Sequence, residues 1–94
     1  MNTQPLLADR IESTPVLSGT QWRYAGLIAG GHSRSSIAAK LGVSPETVKS
    51  QIAEILHRTG TKTQAAAIFE LLRRGELTPE DVERINRPTL ALVP

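Results

Sequence analysis

Cysteine is absent from this sequence, and aromatic residues nearly so: one Trp, one Tyr and one Phe make up 3% of its 94 residues. Without thiols there can be no disulfide, no thiolate metal site and no cysteine nucleophile, a usage that fits a reducing compartment. Few aromatics leave Leu, Ile, Val and Ala to build the core, which is then thin enough for dimerisation to be a natural reinforcement. No apolar run approaches the ~20 residues that span a bilayer. The opening MNTQPLLADRIE lacks the basic start and long apolar stretch of a signal peptide. The expectation is a cytoplasmic protein with no membrane partner.

Catalytic signatures are missing as well. His32 and His57 stand alone, with no spacing that would gather a metal. Gly30-Gly31 is followed by no phosphate-loop lysine and hydroxyl pair, and Ser33, Ser35 and Ser36 have no paired base. A chain this short leaves little room for a concave site. No enzyme, cofactor or metal is expected.

What is present is helical patterning and an uneven charge. Hydrophobic residues make up 39% of the chain, enough for one globular domain. The formal net charge of +2 hides a contrast: Ser18 to Gly75 holds eight cations and three carboxylates, a net of +5. The flanks hold three arginines against six carboxylates, a net of −3. A basic middle suits contact with a polyanion.

Residues 1–16 contain two prolines and no sustained period, and read as a leader with at most one turn around Leu7 to Ile11. Ser18 is a plausible N-cap for a helix over TQWRYAGLIAG, with Tyr24, Ala25, Leu27 and Ile28 facing inward. Gly30-Gly31 stops it. A short second helix, roughly Ser35 to Leu41 and capped by Ser33 or Arg34-Ser35, buries Ile37, Ala38 and Leu41 before Gly42 breaks it. Ser44 caps a third helix with Pro45 at its first position, where proline forfeits no hydrogen bond. Its inward stripe is Val48, Ile52, Ile55, Leu56 and Thr59, and Gly60 ends it. Thr63 opens a fourth helix, QAAAIFELLRR, closed by Gly75. Thr78 with Asp81 three residues on, and Pro79 between, marks a fifth that runs to about Asn86. The expected fold is all-α, and the expected division is leader 1–16, domain 17–77, and short helix with tail 78–94.

Two short helices joined by a glycine-bearing turn, the second capped and polar outside, form a helix-turn-helix. The major groove of DNA admits one helix, and its base edges are within reach of short polar side chains. The stretch LGVSPETVKSQ offers such a row on the first turns of the third helix, whose N-terminus adds a positive dipole.

From Leu17 to about Leu77 the residues resemble the LuxR-type helix-turn-helix family without a gap. Leu17-Ser18 matches the family's opening Leu-Thr, and Ala29-Gly30-Gly31 its Ala-x-Gly. Ile37-Ala38-Ala39-Lys40-Leu41 matches Ile-Ala-x-x-Leu, and Ser44 to Lys49 matches Ser-x-x-Thr-Val-Lys. Gln21, Ser36, Gln51 and Gln64 depart from the usual Glu, Glu, His and Arg, and are expected to loosen internal polar contacts. The resemblance implies a four-helix DNA-binding domain with a short extra C-terminal helix. It also implies a sequence-specific transcriptional regulator that inserts helix 45–59 into double-stranded DNA. It assigns Lys49 and Ser50 to base edges or nearby phosphates, Ala53 to the groove and Thr47 to phosphate. Glu46 either accepts from a cytosine or complements the helix dipole, Gln51 and Glu54 fall at the groove margin, and Ser33, Arg34, Ser35, Lys62 and Thr63 hold the backbone.

On the fourth helix Ala67, Ile68 and Leu71 fit the core, while Ala65, Phe69 and Leu72 widen the apolar arc. In the resembled family two domains pair through this helix on DNA, so a homodimer is expected there. The competing expectation is that the fifth helix or TLALVP folds over Phe69 and Leu72. Trp22 is expected to pack beneath the leader or tail, or against the sugar-phosphate backbone. An alternative role is an interaction protein that pairs with a related full-length regulator, or with RNA polymerase in the manner of a sigma factor's fourth region. No receiver or ligand-binding segment is legible, so control is expected from abundance, dimerisation or a partner.

Overall fold

Short polar residues and glycines place every helix boundary. The computed structural model describes residues 15–88, and over them the chain is all-α, with five helices and no strand. They are α1 (Gly19–Ala29), α2 (Arg34–Leu41), α3 (Pro45–Thr59), α4 (Gln64–Arg74) and α5 (Pro79–Ile85). The expected turn around Leu7 to Ile11 and the TLALVP stretch from residue 89 lie outside the described residues.

Each helix begins with a side-chain cap that satisfies an otherwise orphaned amide. Ser33 Oγ accepts from Ser36 N, Ser44 Oγ from Thr47 N and Thr63 Oγ1 from Ala66 N, each at 3.1 Å. Of the two caps open for α2, Ser33 is the one used. Ser18 and Thr78 form reciprocal capping boxes with Gln21 and Asp81. Gln21, expected to loosen the framework, instead returns its Oε1 to Ser18 N at 3.1 Å. An amide oxygen accepts from that N–H as a carboxylate would, so the cap survives the change. Gly42, Gly60 and Gly75 close α2, α3 and α4 with φ of 67°, 71° and 76°, a left-handed turn that costs glycine little.

The core is mainly the expected inward residues, aliphatic apart from Tyr24. Tyr24, Ala25, Leu27, Ile37, Ala38, Val48, Ile52, Ile55, Ala67 and Leu71 are buried, joined in addition by Leu17 ahead of α1 and Leu77 after α4. Ile28, Leu41, Leu56 and Ile68, also expected inside, are half-buried at its edge. Thr59 is buried and hydroxyl-satisfied, donating to Ile55 O at 2.8 Å. α1 packs against all four other helices and α3 against α1, α2 and α4, while α5 packs against α1 alone among the strong helix pairs.

That last contact rests on two small residues. A Cβ on Gly26 would collide with Ile85, and one on Gly30 with the Asn86 amide. Asn86 Nδ2 in turn donates to Gly26 O at 2.9 Å. Trp22 is half-buried, and its Nε1 donates to Glu76 O at 3.0 Å, so it packs under the α4–α5 connection. Glu76 also takes Leu17 N on its Oε2 at 3.0 Å and ties the chain entering α1 to the chain leaving α4. Since α5 lies on α1, it does not fold over Phe69, which is 66% exposed. Gly26→Val is expected to lift α5 and cost about 1–3 kcal/mol by overpacking. Urea denaturation followed by circular dichroism reads this directly, and an unchanged midpoint would mean that α5 adds no stability.

Ion pairs decorate the last turns. Glu70 Oε2 lies 2.7 Å from Arg73 Nη2 and 2.9 Å from Arg74 Nε. These two hydrogen-bonded guanidinia, Arg73 foremost, pull the Glu70 carboxyl from the usual 4.5 down to about 2. A depressed folded-state value means that the favourable contribution is complete above pH 4.5 and fades as pH falls toward 2. A Glu70→Gln chain is therefore expected to lose Tm less steeply across that window than the parent. Parallel profiles would show that the pairs add nothing to folding.

Candidate nucleic-acid interface

The cations sort themselves by partner. Arg58, Arg73, Arg74 and Arg84 are held in ion pairs with Glu54, Glu70 and Asp81. Among the described residues, Arg23, Arg34, Lys40, Lys49, Lys62 and Arg87 are in no ion pair. An unpaired cation keeps its full field for an incoming anion.

Three of these converge. Arg34 at the start of α2, Lys49 on the outer face of α3 and Lys62 ahead of α4 line one shallow hollow of about 350 Å³. Ala53, one turn beyond Lys49, lies in its wall with Thr63. The hollow exists because Val48 and Ile52 pin α3 by its apolar stripe and Gly60 turns the chain back, which brings Lys62 alongside Lys49. Gln64 also lines it. Its only signal in the sequence is that it stands where the family pattern carries arginine.

The other candidates surround this hollow in different ways. Glu46, Thr47 and Ser50 are exposed on the first turns of α3, as are Ser33 and Ser35 around the start of α2. The hydroxyls of Ser33 and Thr63 are engaged as caps, and Thr47 Oγ1 lies 3.0 Å from Ser44 Oγ. Glu46 sits in the first turn of α3, where a carboxylate complements the helix dipole. Gln51 is half-buried, its Oε1 enclosed without a hydrogen-bond partner among the described residues. Glu54 is set apart: it faces a separate depression with Val16, His57 and Arg58. Its Oε2 accepts from Arg58 Nε at 2.8 Å, and that bond holds its carboxyl below the usual value. Arg58 Nη1 also donates to Val16 O at 3.1 Å, which fixes the pair against the chain entering α1.

On α4, Ala65, Phe69 and Leu72 join Ile28, Ala29 and Ile68 around an open apolar groove of about 570 Å³. No group of His, Asp or Glu among the described residues is arranged to hold a metal ion, and no helix there is long and apolar enough to cross a membrane.

Residues 15–71 match the family model described as bacterial regulatory proteins, luxR family. The chain belongs to this LuxR family. The LuxR-type region thus takes in α1 to α3 and most of α4 and stops short of α5. Similar proteins include the spore germination protein GerE of Bacillus subtilis, 32% identical over 66 residues, covering 70% of this chain and 89% of GerE. The probable transcriptional regulatory protein NarL of Mycobacterium tuberculosis is 38% identical over 60 residues. That match takes in 64% of this chain but only 28% of NarL's length. The solved structure of the transcription factor GerE superposes with a TM-score of 0.64 at 31% identity, covering 68% of this chain and 96% of GerE. The helix-turn-helix formed by α2 and α3 is therefore a LuxR-type one, in a family whose named relatives regulate transcription.

Proposed function

We propose that this chain is a sequence-specific DNA-binding regulator of transcription that seats α3 in the major groove and pairs through α4. The observation that carries the reading is the convergence of Arg34, Lys49 and Lys62, free of carboxylates, beside the exposed polar turns of α3. Phosphate contacts from Arg34 and Lys62 position the domain, and Lys49 with Ser50 faces base edges. Ala53 keeps that face low enough for close approach. Glu54, committed to Arg58, supports α3 rather than reading a base.

Lys49→Ala is expected to lower affinity for the preferred site by roughly 1–3 kcal/mol while weakening random-sequence binding less. Fluorescence anisotropy with both duplexes reads the difference. Selection from a random pool supplies the preferred site. Equal losses on both would make Lys49 a phosphate contact, and no loss on either would remove it from the interface.

Pairing through α4 rests on Phe69 and Leu72, which are 66% and 39% exposed beside the apolar groove. Exposed apolar surface of this kind on a small domain marks a contact site. A two-fold pair would present two copies of α3 to a pseudo-palindromic site and multiply the few bases one domain can read. Phe69→Glu is expected to give a monomer by light scattering and to abolish two-half-site binding, with helical content unchanged. A parent chain that stays monomeric on its selected DNA would refute the pairing. The same strip supports a second reading, in which this chain pairs with a related, longer regulator and modulates it. Mixed-chain pulldown in the presence of operator DNA separates the two.

A further inference from the structure

The unpaired cations form a second cluster that DNA reading through α3 does not use. Arg23 on α1, Lys40 at the end of α2 and Arg87 after α5 surround a cleft of about 420 Å³, with Arg84 at the same rim. Arg84 already shares its charge with Asp81 at 2.8 Å, and the other three are in no ion pair among the described residues. The cleft's remaining lining is apolar, chiefly Trp22, Leu41 and Ile85. It shares no residue with the hollow of Arg34, Lys49 and Lys62.

Part of its construction lies outside the family-matched residues. α5 lies beyond the residues matched to the family, yet it supplies one wall of the cleft. The wall stands close because Gly26 and Gly30 carry no side chain beneath Ile85 and Asn86. A cationic rim over an apolar floor selects an amphipathic anion. Phosphate backbone has no use for the floor. A small free anion has nothing to hold it, since the four cations are all exposed and none is locked inward. A peptide alternating carboxylates with aliphatic residues satisfies both features, its carboxylates meeting the arginines and its aliphatic groups covering Trp22 and Ile85.

The geometry points to a docking site for an acidic, apolar peptide segment of a partner protein in the α1–α2–α5 cleft, separate from the DNA-reading face. Trp22 is the sole tryptophan of the chain and lines the cleft, so it reports occupancy directly. A short synthetic peptide alternating Glu with Leu, titrated into the full chain without DNA, is expected to shift Trp22 emission saturably. The shift should weaken as salt is added. Arg23→Glu combined with Arg87→Glu should weaken that binding about tenfold or more, while anisotropy on duplex DNA keeps the parent's salt dependence. An unsaturable response, or equal affinity in the doubly reversed chain, overturns the proposal. Displacement of the peptide by duplex DNA, with a shallower DNA salt slope in the doubly reversed chain, also overturns it and makes the cleft a phosphate contact. The peptide arm contains no DNA, so its outcome is independent of whether α3 reads bases.

Discussion

Replacing Arg34, Lys49 and Lys62 together with alanine is expected to abolish specific DNA binding at physiological salt. Each is exposed, in no ion pair among the described residues, and directed to the same hollow. Hydrogen bonds to charged groups are worth roughly 1.5–3 kcal/mol each. Losing three is therefore a loss of at least about 4 kcal/mol, or roughly a thousandfold in affinity. The salt dependence is the sharper reading. Every phosphate contact removed lowers the slope of log affinity against log salt by about 0.9. The triple variant should flatten by about 1.8 if only Arg34 and Lys62 meet phosphate, and by about 2.7 if Lys49 does too. All three are surface residues, so the fold should be untouched by circular dichroism. A parent-like slope would move the interface elsewhere on the molecule.

Leu71→Ala is expected to be the most damaging single truncation for stability. Leu71 is fully buried on the inner face of α4, and its carbonyl also accepts from Glu76 N at 3.0 Å and Leu77 N at 3.2 Å in the turn that launches the last segment. Removing a buried leucine side chain costs about 2–5 kcal/mol, the upper end where the site cannot collapse. A domain of this size has a total stability on the order of 5–15 kcal/mol, so most molecules would be near unfolding at body temperature if the parent sits low in that range. With each kcal/mol worth about 4–8 °C in a small domain, Tm should drop by at least about 8 °C. The neighbouring Leu72→Ala supplies the control. Leu72 is 39% exposed, so the same truncation should cost the lone domain little and be felt only in pairing. Comparable losses at 71 and 72 in thermal scans on dilute protein would mean that the inward face of α4 is wrongly assigned.

The contrast between these adjacent leucines shows what periodicity carries. Leu71 falls in register with Ala67 and with the α3 stripe, so its burial is legible from spacing alone. The helix starts at Ser44, Thr63 and Thr78 are equally legible, because a cap bonds an amide three residues on and needs nothing from the rest of the chain, whereas at α2 the sequence left Ser33 and Arg34-Ser35 open. The three glycine stops are local for the same reason. The Leu-rich core, the five helices and the polar row on α3 were therefore set out in the order of the residues themselves.

Other features depend on contacts that no window of sequence contains. Trp22 meets Glu76 across 54 positions, Leu17 meets it across 59, and Asn86 meets Gly26 across 60. Nothing in the α1 sequence marks Gly26, and its role is visible only with Ile85 above it. The spacing puts Glu54 on the outer side of α3, and only the fold adds that Arg58 binds both it and Val16. Above all, the sequence counts cations but does not say which are neutralised. By itself it determined the helices, most of their caps and their buried faces, since those follow from interactions three or four residues apart. Only the tertiary structure decided that Arg34, Lys49 and Lys62 share one hollow and that α5 rests on α1 to build a second basic cleft. Charge and shape at a surface are sums over segments that the chain brings together only when it folds.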